Sequence, residues 1–240
     1  MTDLLYQSDS YLKEFKAIVT RVATEQNAVI LDRTAFYPGG GGQVHDQGEI
    51  YFDSTISRLK HAKNNQDGFL HILEEGEQLP KSGKEIKGVI DWERRYQVMR
   101  THTAMHILCG VIFRDYGALV TGGDMQPLKG RMDFEFESMT KELVSTIEAA
   151  INHEVDADRE VRVSILPRED AFKIPDLIRT KINVLPEKIK EIRTVEIVGL
   201  DLQADGGTHV RSSSEVGTIK ISEYKSKGKI NKRIYIELEP

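Results

Sequence analysis

Along the first ninety residues, short apolar runs alternate with turn punctuation, a texture that predicts β-strands. Residues 15–22, 28–31, 49–52 and 69–73 are rich in aliphatic, β-branched and aromatic side chains. Asn64-Asn65-Gln66-Asp67-Gly68 separates two of these runs as a turn does. Several short strands at this spacing predict a small barrel or sandwich. From Asp91 the period becomes helical: Val98, Met105 and Ile112 stand seven apart with Leu108 between them, Asp91 is placed to cap the start, and the helix should end near Gly117. A second helix is predicted over 140–155, where Leu143, Ile147 and Ile151 repeat at four. Strands follow at 161–166, 194–198, 217–222 and 234–238, with a proline-marked segment at 175–186. The expected architecture is α+β: a small N-terminal β-barrel domain over 1–90, then an α+β domain over 91–240 in which the long helix lies on an antiparallel sheet.

Composition narrows the class. With 240 residues, 39% of them hydrophobic, the chain can bury one sizeable core or two modest ones, and disorder is excluded as the default. No stretch approaches the roughly eighteen unbroken apolar residues of a spanning helix, and the first ten residues carry acids where a secretory signal carries bases. The single cysteine, Cys109, leaves no partner for an internal disulfide, so a cytoplasmic chain with no membrane contact is expected. An oligomeric state is not legible; a monomer is compatible with the pattern.

Charge is unevenly spread. The 33 Lys and Arg against 38 Asp and Glu give −5. Lys220, Lys225, Lys227, Lys229, Lys232 and Arg233 against Glu223 make that segment 6 − 1 = +5, which leaves −5 − 5 = −10 elsewhere. A mostly acidic body with one basic segment suits contact with phosphates at one place only; the plain alternative is a solvated, lysine-rich hairpin.

The candidate chemistry starts in the long helix. His102 and His106 are four apart and project from one helical face, so both imidazoles can reach one ion at about 2.0–2.1 Å. Ordinary core or surface histidines would share this spacing. Thr103 stands where an H-E-x-x-H zinc protease has its glutamate, which removes that class. Far downstream, Asp205-Gly206-Gly207-Thr208-His209 is a turn that can aim an oxygen and a nitrogen at the same centre, although a plain turn needs no metal. Three histidines and a carboxylate would make a zinc site, or three ligands and water a catalytic one. Cys109, three residues beyond His106, is a softer ligand than Asp205, but a lone helical cysteine is read first as a small core residue.

Four consecutive glycines, Gly39, Gly40, Gly41 and Gly42, interrupt Thr34-Ala35-Phe36-Tyr37-Pro38 and Gln43. Their backbone cost is justified most easily where a ligand or another backbone must approach; a flexible surface loop is the plain alternative. The spacing fits neither the G-x-G-x-x-G dinucleotide turn nor the G-x-x-x-x-G-K-[ST] phosphate loop.

Taken together, residues 34–48, the His102/His106 pair, Gly206-Gly207-Thr208-His209 and the basic residues 227–233 resemble the editing domain of alanyl-tRNA synthetase. As a free-standing chain, the sequence is similar to the medium-length trans-editing alanyl-tRNA deacylases, over most of its length. The resemblance implies a hydrolase that deacylates mischarged alanine tRNA, seryl-tRNA(Ala) and also glycyl-tRNA(Ala), with the acceptor end of tRNA(Ala) as partner. It implies one Zn2+ held by His102, His106 and His209. Asp205 stands where the family commonly has a cysteine, so the fourth ligand is Asp205, water or Cys109. It further implies that Thr34 and Gln43 serve the reaction and, with Gly39, Gly40, Gly41 and Gly42, shape the amino-acid pocket. For the RNA, Lys227, Lys229 and Arg233 are candidates to meet phosphates, and Arg100 a weaker one whose plainer role is a helical surface ion pair. Three rival readings remain: the related module that removes serine from threonine tRNA, a non-catalytic tRNA-binding relative, and an unrelated metal hydrolase of small esters.

Overall fold

The computed structural model describes residues 2–180 and 189–239; the part of the proline-marked segment beyond 180 lies outside them. Its contacts divide the chain into two compact units, Met1–Gln97 and Val98–Pro240. The texture change at residue 90 lies just before the long helix, whereas the division falls within it.

The first unit contains β1 (Asp3–Leu4), β2 (Glu14–Ala23), β3 (Ala28–Leu31), β4 (Arg33–Thr34), β5 (Gly48–Phe52), β6 (Thr55–Asn65), β7 (Gly68–Leu73) and β8 (Glu85–Ile90). Six of them close an antiparallel barrel in the order β2-β3-β7-β6-β5-β8, as the strand spacing predicts; β1 and β4 pair in parallel beside it. Along β2 the sides alternate, with Phe15, Ala17 and Val19 in the core and Glu14, Lys16 and Ile18 outside. The sequence pattern misses β6 and most of β8 because lysines and other polar residues dominate them; in β6 only Ile56, Leu59 and Ala62 are apolar, three apart rather than alternating.

The helix α1 (Trp92–Tyr116) follows. Asp91 Oδ1 accepts the Arg94 N–H at 3.2 Å, and Gly117 at φ +65° ends the helix by donating to the Phe113 carbonyl at 2.9 Å. Residues 101–112 are buried without interruption, so α1 is enclosed on every side there rather than along a single stripe. The second unit continues with β9 (Val120–Gln126), β10 (Lys129–Glu135), α2 (Lys141–Asp156), β11 (Val161–Pro167), β12 (Glu191–Ile197), β13 (Asp201–Ala204), β14 (Ile219–Ser226) and β15 (Asn231–Leu238). Thr140 caps α2 by accepting the Leu143 N–H at 3.2 Å.

Two antiparallel sheets result, β14-β15-β10-β9 and β11-β12-β13. The long helix lies against the first. A Cβ on Gly130 of β10 would sit 2.9 Å from the Met105 sulfur, so the missing side chain is what lets Met105 settle on the sheet. The glycines of β9 and β10 imitate turns in the sequence, which is why neither strand is predicted. The basic segment forms the β14–β15 hairpin. Among the described residues no helix is long and apolar enough to cross a membrane.

Candidate functional site

The two i, i+4 pairs of the second unit meet. His102 and His106 project from the buried stretch of α1, and the turn after β13 brings in Asp205 and His209. One ligand atom from each of the four lies within 4.8 Å of all the others. Every imidazole presents Nε2 to the carboxylate: His209 Nε2 is 3.1 Å from Asp205 Oδ1, while His102 Nε2 and His106 Nε2 are 3.4 and 3.9 Å from Oδ2. Bonds of about 2.0–2.1 Å in a tetrahedron separate neighbouring ligands by about 3.3 Å, so the four groups fit one zinc-sized ion after small shifts.

Supporting contacts engage the Nδ1 atoms of two of the rings, on the side away from the shared carboxylate. His106 Nδ1 is 3.1 Å from Asp201 Oδ2, and His209 Nδ1 is 3.2 Å from the Thr103 hydroxyl, which also accepts the Val210 N–H at 3.3 Å. Thr103, in the sequence only an absent glutamate, therefore ties the ligand turn to the helix. The turn is held again where Gly207 N–H donates to Asp205 Oδ1 at 2.6 Å and Arg193 Nη1 to the Asp205 carbonyl at 2.9 Å.

Electrostatics follow from burial beside opposite charge. Burial alone would raise the Asp205 pKa, yet the three surrounding histidines, His102 first, hold the carboxyl well below its usual range. For His106, burial lowers the pKa, but its hydrogen bonds to Asp201 and Asp205 outweigh this and hold it up at about 9. Burial and the neighbouring His102 push His209 well below the usual imidazole range. The pocket thus keeps the Asp205 carboxylate ionised among three nitrogen donors, a donor set of the kind that holds a cation. Cys109 is not part of this cluster; burial, then the Asp201 charge, pushes its thiol up, consistent with a small core residue.

The glycine-rich loop belongs to the first unit. Its base is closed by Asp46, which accepts the Tyr37 N–H at 2.5 Å through Oδ2 and donates its own N–H to the Tyr37 carbonyl at 3.0 Å. Arg95, fully buried, grips Asp46 with its guanidinium and donates to the Ala35 carbonyl at 2.7 Å. At the tip, Gly40 and Gln43 exchange backbone hydrogen bonds of 3.0 Å. Gly39, Gly40, Gly41 and Gly42 all have positive φ, between +59° and +123°, and a Cβ on Gly40 or Gly41 would meet nothing within 4 Å. At Gly40 and Gly41 it is backbone conformation, not a crowded neighbour in the chain, that demands glycine.

Thr34 precedes the loop and is buried against His71. His71 Nδ1 faces the Val29 carbonyl at 3.3 Å, and a carbonyl only accepts, so the ring hydrogen sits on Nδ1. His71 Nε2 then accepts the Thr34 hydroxyl at 2.8 Å, while that hydroxyl accepts the Phe36 N–H at 3.1 Å. Burial pushes the His71 pKa down to about 4, which keeps this neutral form. One Thr34 lone pair is left uncommitted by these two bonds. Neither Arg95 nor His71 carries a local sequence signal of this role, since their partners lie on other parts of the chain, and the Asp46–Tyr37 pair spans the whole loop.

The basic candidates separate by environment. Arg233 is forked onto Asp133, with bonds of 2.6 and 2.7 Å, and buried Lys232 donates to the Gly228 and Lys229 carbonyls at 2.9 and 3.0 Å. Lys227 and Lys229 are exposed at the hairpin end. Arg100 binds backbone carbonyls, taking Val216 at 2.9 and 3.1 Å as well as Glu239, rather than forming a helical ion pair.

Comparison with known proteins gives this arrangement its family. Residues 7–94 match the class II (A) tRNA synthetases, and residues 192–235 match the second additional domain of threonyl and alanyl tRNA synthetases. The alanyl-tRNA editing protein AlaX-M of Saccharolobus solfataricus is 41% identical over the whole of both chains, and that of Methanosarcina mazei is 38% identical over 99% of this chain and 97% of its own. The alanine–tRNA ligase of Ignicoccus hospitalis is 38% identical over 92% of this chain but only 24% of the ligase. With full-length kinship at this level, the chain belongs to the AlaX-M family of alanyl-tRNA editing proteins.

Proposed function

We propose that the chain is a trans-editing aminoacyl-tRNA hydrolase that removes serine, and also glycine, from mischarged alanine tRNA. The observation that carries this reading is the buried group of His102, His106, Asp205 and His209, in a chain whose relatives are alanyl-tRNA editing proteins over their full length. These four residues would hold one Zn2+, which supplies Lewis-acid charge for hydrolysis of the ester between the amino acid and the tRNA ribose. Water adds to the ester carbonyl, the bond to the ribose oxygen breaks, and that oxygen leaves with a proton. Asp205 keeps its negative charge amid the imidazoles, and Thr103 and Arg193 hold its turn in place.

Selection falls to the barrel unit. Thr34, fully buried, gives its hydrogen to His71 and keeps one lone pair, which would accept from a serine hydroxyl that reaches it, a contact alanine cannot make. Gln43, with Gly39, Gly40, Gly41 and Gly42, forms the rim of the amino-acid pocket. Lys227 and Lys229 neutralise phosphates of the acceptor end and position the RNA without reading sequence. The removal of serine from threonine tRNA is disfavoured, because the full-length relatives are alanyl-tRNA editing proteins.

The test is deacylation of seryl-, glycyl- and alanyl-tRNA(Ala) by the purified chain, with zinc quantified in the same sample. Fast loss of serine with alanine retained and close to one zinc per chain is the expected result. No hydrolysis of any ester by a zinc-loaded, folded sample would remove the enzyme reading.

A further inference from the structure

Asp201 opens β13 with its side chain fully enclosed and takes no part in the four-residue cluster. It is nevertheless surrounded by donors. Gln203 Nε2 donates to Oδ2 at 2.6 Å, Arg179 Nε faces Oδ1 at 3.4 Å, and His106 Nδ1 stands 3.1 Å from Oδ2. Because Arg179 and Gln203 already give hydrogens to it, the carboxylate acts as an acceptor at both oxygens, and the hydrogen of the His106 contact sits on Nδ1. Arg179 is itself steadied by stacking over the Phe113 ring, 3.8 Å from its centroid.

The helix is shaped to admit this carboxylate. Gly110 lies one turn after His106, and a Cβ there would come within 3.0 Å of both Asp201 Cβ and Leu200 Cγ. A glycine inside a helix costs about 1 kcal/mol relative to alanine. Here it opens the space through which β13 brings Asp201 up to the imidazole. A buried ion pair adds little stability as a rule, and an apolar replacement often does as well. The arrangement makes better sense as support for a ligand.

We propose that Asp201 is a positioning residue for the metal centre: by accepting the Nδ1 hydrogen of His106 it fixes the ring orientation that turns Nε2 toward the point shared with Asp205, where a bound cation would take the Nε2 lone pair. Arg179 and Gln203 hold Asp201 in turn, and Gly110 gives it access. The inference rests on reading the cluster as a metal centre, and goes beyond it in assigning the groups that set the centre's geometry.

The test measures zinc affinity of the intact chain by competition with a chromophoric chelator, and the visible absorption of the cobalt-substituted protein, for wild type, Asp201→Ala, Asp201→Asn and His102→Ala. Loss of such a supporting partner costs ~10–100-fold in metal affinity. Asp201→Ala should show a loss of that size with a changed cobalt spectrum. Asp201→Asn, nearly the same shape and still able to accept through its amide oxygen, should recover part of it. If the alanine variant does not fold, the asparagine variant still decides. Wild-type affinity and an unaltered spectrum in Asp201→Asn, and in Asp201→Ala where it folds, would overturn the assignment. A wild-type chain that binds neither metal, with His102→Ala indistinguishable from it, would overturn the metal centre and Asp201's role together. Binding lost in His102→Ala but unchanged in the Asp201 variants would overturn only the latter.

Discussion

Lowering the pH from 7 to 5 should weaken the barrel unit chiefly through one fully buried side chain, His71. The folded chain holds this imidazole neutral, its pKa pushed by burial from 6.5 to about 4. The unfolded chain protonates it as pH falls through 6.5, while the folded chain refuses the proton until about 4. Between those values the unfolded state binds more protons, so this contribution to stability is fully present above 6.5 and is lost as pH falls. The full window of 6.5 − 4 = 2.5 pH units corresponds to about 3 kcal/mol, and stopping at pH 5 exposes about 2 kcal/mol of it. Trp92, the only tryptophan, lies in the first unit and reports its unfolding by fluorescence. Urea melts at pH 7 and pH 5 on wild type and His71→Gln, which keeps an acceptor for Thr34, isolate the effect from every other titrating group. Wild type should lose about 2 kcal/mol more than the variant on acidification. An equal loss in both would refute the reasoning and with it the fixed polarity of the Thr34 hydroxyl.

Three other outcomes follow from the site. Asp205→Asn should weaken zinc binding by at least ~10-fold, the size of a lost charged contact, whereas Asp205→Cys offers a softer ligand and should tighten it, both read by chelator competition. Thr34→Val keeps the shape and removes the lone pair, so the ratio of kcat/KM for seryl over alanyl ester should fall roughly ten-fold; an unchanged ratio would take Thr34 out of selection. Lys227→Ala with Lys229→Ala should weaken tRNA binding and reduce the slope of log affinity against log salt by about 2, while Arg233→Ala, which strips Asp133 of its partner, should lower the melting temperature instead.

What could be read from the sequence depended on whether the relevant partners are close along the chain. His102 and His106 are one helical turn apart, and Asp205 and His209 share a short turn, so spacing alone nominated all four. The cap Asp91 was legible for the same reason, as was the start of α2 near Thr140. Asp201, Arg95 and His71 were not, because their partners are 95, 49 and 37 residues away, a separation that no local pattern reports. The strands β9 and β10 were hidden by their own glycines, whose purpose becomes visible only once Met105 is seen resting on Gly130. Arg233 shows the converse: a cation within a basic run invites a phosphate, while in the fold its guanidinium is forked onto Asp133 of another strand.

The two halves of the candidate metal site are not equally secure by construction. His102 and His106 stand on a helix enclosed on every side over residues 101–112, so their spacing is fixed by backbone hydrogen bonds before any ligand arrives. Asp205 and His209 sit in a glycine turn, which has no such ladder and relies on discrete ties: Thr103 to His209 and to the Val210 N–H, Arg193 to the Asp205 carbonyl, Gly207 N–H to the Asp205 carboxylate. The Thr103 tie is the one that matters for geometry, because it alone among these runs from the turn to the helix that carries the other ligand pair. Removing it leaves every ligand in place but lets one pair drift against the other. Metal affinity should therefore depend on Thr103, which is not a ligand, while the fold, built from sheets that do not use this hydroxyl, should not.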